Sequence, residues 1–258
     1  MLSDIWSGLL VAFGLYSALP LPQVEWKKNT MRFALIFLPL IGVLVGLCQL
    51  GWLWLAQAWR LNAMLYAAGA VLVPVILTGG IHLDGFTDTC DALCSYGDRE
   101  KRLAILKDPH VGAFGVLWLL VLLLVQFGLF AQLYDAPRCA ALLGAGYAMA
   151  RACGGHMIVA QPCAKDSGLA RLFSDHADKK IVARVMCVWM FACAAVLAVT
   201  GNRFGVLAVG AVLVFFAYHI RKCKKIFGGI TGDLCGMCIT VCETITLAAA
   251  VIGGLCLR

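Results

Sequence analysis

Charge is what this sequence lacks most. Only 14% of its 258 residues are charged, whereas 62% are hydrophobic. This composition, with a mean hydropathy of +0.89, excludes an ordinary soluble domain and is typical of a membrane protein. The chain also lacks repeats, low-complexity tracts and long linkers, so we expect a single integral membrane domain over residues 1–258. A basic, cleavable start is missing too, and we expect no removable signal peptide.

Long apolar stretches recur along the whole chain, and most reach the ~17–25 residues needed to cross a bilayer. They predict an all-α, polytopic helical bundle of about seven to eight spans. The seven firm candidates are residues 33–59, 63–78, 112–134, 138–160, 181–200, 204–220 and 237–257. The eighth candidate, residues 5–19, is short and ends at Pro20-Leu21-Pro22. Whether it crosses the membrane stays open.

The net charge of +7 indicates membrane orientation rather than nucleic-acid binding. If residues 5–19 count as a span, every second loop lies on the same side of the membrane, and the loops on one side carry most of the Lys and Arg. Loops rich in Lys and Arg usually lie in the cytoplasm. These residues are Lys27, Lys28, Arg32, Arg99, Lys101, Arg102, Lys107, Lys165, Arg171, Lys179, Lys180, Arg184, Arg221, Lys222, Lys224 and Lys225. The polar segments 20–32, 80–111, 161–180 and 221–236 lie on the same side. We therefore expect them to converge at the cytoplasmic face of a bacterial inner membrane.

Acidic residues are concentrated in one short segment. Five of the eleven Asp lie between Gly79 and Gly115. Asp84, Asp88 and Asp91 are spaced i, i+4 and i+7, so they share one face of a helix. Oxygen-only ligands suit Mg²⁺, which usually shares its coordination shell with substrate phosphates. The spacing predicts a Mg²⁺-binding motif helix. The alternative is a helix face that is simply solvated. Gly85 has no side chain, so we expect it to leave room for a ligand beside the backbone.

A glycine-rich loop precedes the last apolar stretch. Residues 228–233 read GGITGD, and the backbone N–H groups of such a loop can cradle a phosphate. The loop has no P-loop lysine, which excludes a nucleoside triphosphatase of that type. Asp233 would add a fourth carboxylate to the predicted metal ligands.

Basic groups near these motifs could neutralise phosphoryl charge, among them Lys107, His110 and Lys165. Arg151 interrupts an apolar stretch, and an intramembrane arginine is a functional candidate by default. Glu243, in the last stretch, is its candidate partner. No activated Ser or Cys nucleophile is visible. Together these features indicate Mg²⁺-assisted phosphoryl or nucleotidyl-alcohol transfer to a hydroxyl group.

Five segments resemble the cobalamin synthase family, the adenosylcobinamide-GDP ribazoletransferases. They are LPLIG (38–42), GGIHLDGFTDTCDAL (79–93), KDPHVGAFG (107–115), PCAKDSGL (162–169) and GGITGD (228–233). The chain departs from the family pattern at Ser17-Ala18, Ala92, His110, Lys165 and Met237. His110 and Lys165 stand where the family has arginine, and neither offers the bidentate phosphate contact of arginine.

The resemblance implies a Mg²⁺-dependent membrane enzyme that joins adenosylcobinamide-GDP to α-ribazole or its 5′-phosphate and releases GMP. The predicted metal ligands are Asp84, Asp88, Asp91 and Asp233, and Asp88 or Asp91 is the predicted general base. The predicted substrate-binding residues are His82, Gly85, Lys107, His110, Arg151, Lys165, Gly229, Thr231 and Gly232. The expected partners are these small molecules and the lipid bilayer, with no nucleic acid; the oligomeric state, a homo-oligomer included, stays open.

Three alternatives remain at this point. A CDP-alcohol phosphotransferase of phospholipid synthesis would use a similar acidic motif, although its Asp spacing differs. An ion-coupled transporter would explain Arg151 and Glu243 within apolar stretches. A corrinoid-binding scaffold would bind its ligand without turnover.

Overall fold

The computed structural model describes residues 2–22 and 28–256, without the side chains of residues 2–4, 28 and 29. Within these ranges the regular structure is helical, and the one strand-like feature is an isolated bridge between Cys163 and Ile230. The all-α prediction is confirmed. Lys27 and Arg258, and the side chain of Lys28, lie outside the described residues.

The described residues form eleven α-helices. They are α1 (Leu2–Tyr16), α2 (Lys28–Met31), α3 (Leu38–Ala58), α4 (Ala63–Thr78), α5 (Ile81–Cys94), α6 (Arg99–Ile105), α7 (Ala113–Leu133), α8 (Ala141–Ala160), α9 (Leu169–His176), α10 (Lys179–Phe227) and α11 (Gly232–Cys256). Short 3₁₀ helices, Ala34–Phe37 and Pro137–Ala140, lead into α3 and α8.

Four helical stretches in the described ranges are long and apolar enough to cross a membrane: Ala34–Ala58, α7, α10 and α11. The bent pair α4–α5 adds a fifth. This count is lower than the seven to eight expected, for two physical reasons. First, the 49-residue α10 counts once although Asn202 breaks it, with φ 49° and ψ −133°. Second, α8 carries Arg151 and His156, which reduce its hydropathy.

Helix α8 forms the centre of the bundle. Fifteen of its twenty residues are buried, and it packs against α3, α10 and α11. Because its neighbours surround it, its polar side chains face protein rather than lipid. Helix α7 is the opposite case, since it exposes Trp118, Val121 and Leu124 on its outer face. An apolar outer face of this kind suits contact with lipid tails.

The break between α4 and α5 positions the acidic motif. Gly79 and Gly80 adopt φ values of 64° and 77°, a left-handed conformation that glycine takes without steric cost. The chain bends there by 97°, and α5 continues between α7 and α11. The prediction that the motif forms a helix is confirmed by α5.

The polar loops meet at one end of the bundle. The amide of Ala164 donates to the Ile230 carbonyl at 2.8 Å, and the amide of Ile230 donates to the Pro162 carbonyl at 2.9 Å. At the opposite end, where the loops are short, the Tyr134 hydroxyl donates to the Leu61 carbonyl at 2.6 Å. The loops around residues 161–168 and 228–231 therefore converge as expected. Of segment 20–32, residues 23–27 lie outside the description.

Candidate active site

A cavity of about 550 Å³ opens among α5, the loop of residues 163–168, the start of α9 and the start of α11. Its floor includes Leu38 of α3 with Gly154 and Ile158 of α8. The sequence-predicted site residues that line it are His82, Asp84, Lys107, Lys165, Thr231, Gly232 and Asp233. Residues from three of the predicted polar segments are thus brought to one place.

Three helices begin at the wall of this cavity. Ile81, Leu169 and Gly232 are the first residues of α5, α9 and α11, and all three line it. The first N–H groups of a helix lack intrahelical partners and carry partial positive charge. Helix N-termini are for this reason common phosphate-binding positions. The backbone at this cavity favours an anionic ligand.

Asp233 is held in the first turn of α11. Its Oδ2 accepts a hydrogen bond from the Thr231 hydroxyl at 3.2 Å. The same hydroxyl oxygen accepts a hydrogen bond from the Leu234 amide at 3.3 Å, as a helix-capping threonine does. Thr231 therefore both caps α11 and orients the Asp233 carboxylate.

Lys165 brings a cation to this carboxylate. Its Nζ lies 4.0 Å from Asp233 Oδ2 and donates to the Leu106 carbonyl at 3.0 Å. Partial burial lowers the pKa of Lys165, and Lys107 nearby lowers it further, whereas Asp233 and Asp88 act in the opposite direction. The ammonium group is anchored beside the cavity and can contact an incoming anion.

The carboxylates on α5 and α11 form a group of like charges. Asp88 interacts electrostatically with Asp84, Asp233 and Asp91, and Lys165 opposes this repulsion. Among the described residues, no three Cys, His, Asp or Glu side chains form a preformed metal site. Mg²⁺ usually binds to one or two carboxylates plus substrate phosphates, so an incomplete protein ligand set is compatible with it. Magnesium stays a prediction.

Asp91 has a different environment from Asp84 and Asp88. Its Oδ2 accepts from the Gly112 amide at 2.7 Å and its Oδ1 from the Gly115 amide at 2.9 Å. A Cβ on either glycine would overlap this carboxylate. Asp91 thus caps the start of α7. Of the three motif carboxylates in the described residues, only Asp84 lines the cavity, and Asp88 and Asp91 do not. The predicted roles of Asp91 as metal ligand and general base remain untested, and the sequence did not indicate the capping role.

Two of the predicted substrate-binding glycines serve packing. A Cβ on Gly85 would lie 2.8 Å from the Asp233 carbonyl oxygen, so the space that we expected for a ligand holds the backbone of α11. A Cβ on Gly229 would overlap the Pro162 carbonyl in the bridged loops. Gly232 differs, because no atom of the described residues lies within 4 Å of its Cβ position. Of the three predicted glycines, Gly232 is the one that is open to the cavity.

His110 is not brought to the cavity. Its side chain is 89% exposed, and its Nδ1 lies 2.7 Å from Asp108 Oδ1. Its amide donates to the same oxygen at 2.9 Å, and these hydrogen bonds lower the pKa of Asp108. The structure gives His110 a loop-turn partner and no contact with the cavity.

Arg151 is fully buried below the cavity. Its Nη1 donates to Glu243 Oε1 at 2.5 Å and to the Tyr147 carbonyl at 3.1 Å. The expected pairing with Glu243 is confirmed. Arg151 lines a separate cavity of about 20 Å³, which His82 also lines, and so it does not reach the main cavity.

The family model for cobalamin-5-phosphate synthase matches residues 8–251. The chain belongs to this family. The adenosylcobinamide-GDP ribazoletransferase of Lachnoclostridium phytofermentans is 32% identical over 97% of this chain and 94% of its own length. Proteins of the same name from Pseudomonas fluorescens and Clostridium perfringens are 32% and 31% identical, each over 92% of this chain and over 96% and 94% of their own lengths. No solved structure matches the chain. The resemblance drawn from the five motifs is confirmed.

In this member of the cobalamin-5-phosphate synthase family, sequence reasoning missed several cavity residues. Tyr16, at the end of α1, lines the cavity and stacks on His82 with ring centroids 6.3 Å apart. No local signal marked it, because residues 5–19 read as a plain apolar stretch. Ser167 and Arg171 also line the cavity, and Ser167 lies within the PCAKDSGL motif, which could have indicated it.

Proposed function

We propose that this chain is an adenosylcobinamide-GDP ribazoletransferase. It would transfer the adenosylcobinamide phosphoryl group from its GDP ester to α-ribazole or α-ribazole 5′-phosphate and release GMP. The observation that carries the proposal is the cavity in which three helix N-termini and two lysines face Asp84 and Asp233. Such a mixed arrangement suits a diphosphate with its counter-cation. Family membership and the names of the relatives support the substrate.

In this proposal the first turn of α11 and the two lysines hold the diphosphate. Thr231 and Gly232 face it from the helix start, and Lys107 and Lys165 neutralise its charge. The cavity, at about 550 Å³, is of the usual size for a small-molecule site. It would take the diphosphate and the groups next to it, and the bulky corrinoid ring would lie at its mouth.

Asp84, Asp88 and Asp233 are the residues that we assign to Mg²⁺. When bound, the ion would neutralise the charge that develops on the phosphoryl oxygens. Asp88 does not line the cavity either, but its carboxylate interacts with those of Asp84 and Asp233, which do. We choose it as general base because both Asp91 oxygens already accept hydrogen bonds at the start of α7. The acceptor hydroxyl gives its proton to Asp88, its oxygen bonds to the phosphorus that carries cobinamide, and the bond from that phosphorus to the GMP oxygen breaks.

We further propose seven spans with the cavity at the cytoplasmic side of a bacterial inner membrane. Counting α10 as two spans that meet at Asn202 and adding α8 raises the five candidates to seven. The basic loops then lie on the side of the cavity, as the positive-inside rule requires. Protease-site insertions at residue 97 and residue 202 should be cut from opposite sides of sealed vesicles. Cleavage of both from one side would contradict this topology.

The test of function is a defined reaction. Purified protein in lipid vesicles is incubated with adenosylcobinamide-GDP, α-ribazole and Mg²⁺, and adenosylcobalamin and GMP are measured by chromatography. The Asp108→Asn variant is the control and should form both products like the wild type. Asp108 is exposed in the same loop as Lys107 but does not line the cavity. Both products in equal amounts would support the proposal.

The same preparation separates the alternatives. CMP release from a CDP-alcohol would indicate phospholipid synthesis, and uptake into sealed vesicles without GMP release would indicate a transporter. Corrinoid binding without any turnover would indicate a scaffold. None of these is favoured by the family match.

A further inference from the structure

A second large recess lies behind the acidic motif helix. It is a groove of about 480 Å³ between α5, α7 and α11. Its walls include Phe86 and Cys90 of α5, Trp118 and Leu122 of α7, and Met237 of α11. Among the residues that the structure describes, Lys222, near the end of α10, is the one charged residue that lines it. We call this recess the α5–α7 groove.

The α5–α7 groove opens on a lipid-facing side of the bundle. Trp118, Val121 and Val125 line it and remain 45%, 40% and 48% exposed. They belong to α7, which is long and apolar enough to cross the membrane. A lipid tail next to α7 can therefore enter the groove sideways without passing through water. The groove is also long enough for part of an acyl chain. Val125, which lines it, lies about 18 Å along α7 from Ala113 at ~1.5 Å per residue.

Lys222 supplies a charge at the mouth of this groove. It lies five residues before the end of α10, at the same end of the bundle as Lys224 and Lys225. In the described part of the chain no carboxylate lies within ion-pair distance of it, and its Nζ lies 5.8 Å from the centroid of the Tyr218 ring. A partly buried cation without a protein counter-ion favours an anion from outside the chain.

We propose that the α5–α7 groove binds one anionic phospholipid. One acyl chain lies between α5 and α7, and the phosphate contacts Lys222. A cation at the membrane-surface end of an apolar groove matches the order of headgroup and tail in a lipid. Phe86 and Cys90 lie on the face of α5 opposite to Asp84 and Asp88, so the lipid supports the motif helix from behind.

The test uses the full chain in vesicles of phosphatidylcholine with phosphatidylglycerol, one of the two carrying brominated acyl chains. Bromine quenches tryptophan at short range, and the signal of Trp118 is obtained as the difference between the wild type and Trp118→Phe. Brominated phosphatidylglycerol should quench Trp118 at a several-fold lower mole fraction than brominated phosphatidylcholine. Lys222→Gln should weaken this preference roughly five-fold, the effect of one surface charge near anionic lipid.

Lys224→Gln is the matched control, because Lys224 is exposed on the same helix and does not line the groove. It should keep the preference, and Lys222→Arg should keep it too. Native mass spectrometry should retain one phosphatidylglycerol on the wild type and on Lys224→Gln, and less on Lys222→Gln. Neither the quenching nor the mass measurement depends on turnover. Failure of the lipid proposal can therefore be distinguished from failure of the proposed reaction.

Three results would overturn the proposal. Equal quenching by the two brominated lipids would remove the anionic preference. An unchanged preference in Lys222→Gln would remove the phosphate contact. No quenching of Trp118 by either lipid would show that something other than lipid, such as a second copy of the chain, covers the groove.

Discussion

We predict that Asp91 has a structural role and not a catalytic one. The substitution Asp91→Asn tests this prediction. In the folded protein both carboxylate oxygens accept amide hydrogen bonds at the start of α7, and the residue is only 9% exposed. Asparagine offers one acceptor oxygen, so its amide nitrogen would face one of the two N–H donors. A hydrogen bond to a charged group contributes about 1.5–3 kcal/mol, and a helix cap about 0.5–2 kcal/mol. We expect a loss of about 2–4 kcal/mol in the free energy of unfolding.

The assay is thermal unfolding in detergent micelles, followed by turnover below the transition. At roughly 2–4 °C per kcal/mol, the midpoint should fall by about 5–15 °C. Turnover at low temperature should change far less than it does for Asp88→Asn. Gly112→Ala and Gly115→Ala are matched perturbations, because each new Cβ would push on the same carboxylate. Both should lower the midpoint without touching the cavity.

The opposite pattern would refute this reasoning. If Asp91→Asn unfolds at the wild-type temperature but has lost turnover, Asp91 acts in the reaction, as its spacing with Asp84 and Asp88 first predicted. If the two glycine variants are also as stable as the wild type, the cap itself contributes nothing.

Three further predictions concern the charged groups. Asp84→Asn and Asp88→Asn should each reduce turnover by about 10²–10⁴-fold with an unchanged unfolding midpoint, and chelation of Mg²⁺ should abolish turnover until the ion is restored. Since burial lowers the pKa of Lys165, its charge is lost as the pH rises through that lowered value; kcat/KM should therefore fall on the alkaline side, and Lys165→Arg should move the fall to higher pH. Glu243→Gln should lower the free energy of unfolding by about 3–5 kcal/mol, because it leaves buried Arg151 without a counter-charge. The double variant Arg151→Met/Glu243→Leu should be more stable than Glu243→Gln, and a double-mutant cycle measures the difference.

Local patterns in the sequence predicted the parts of the site that local geometry controls. Apolar runs and helical spacing indicated a helical membrane bundle with the acidic motif on one helix, and α5 has that form. The glycine-rich loop at 228–233 and Lys165 reached the cavity because polar loops at one end of a bundle have few places to lie. The pairing of Arg151 with Glu243 followed from the cost of leaving either charge alone among apolar residues.

Long-range contacts could not be predicted in this way. Asp91 lies on the same face of α5 as Asp84 and Asp88, yet partners 21 and 24 residues away determine its role. Gly85 looked open to a ligand because the sequence does not show that α11 packs against it. Tyr16 came from an apolar stretch with no chemical signal of its own. Each case depends on which helix packs next to which, and a single sequence leaves that open.

If the proposed reaction is right, the cavity needs charges of both signs. Asp84, Asp88 and Asp233 alone would repel a diphosphate, whereas lysines and helix N-termini alone would hold it without a place for a divalent ion. Thr231 orients the Asp233 carboxylate and Lys165 lies 4.0 Å from it, so the protein limits the repulsion before any ligand arrives. Lys165→Gln should therefore weaken substrate binding and also increase the repulsion among the carboxylates. The two effects are coupled, so Lys165→Gln should change both the KM for adenosylcobinamide-GDP and the Mg²⁺ concentration needed for half-maximal turnover. If it raised the KM but left that Mg²⁺ concentration unchanged, the result would contradict this coupling.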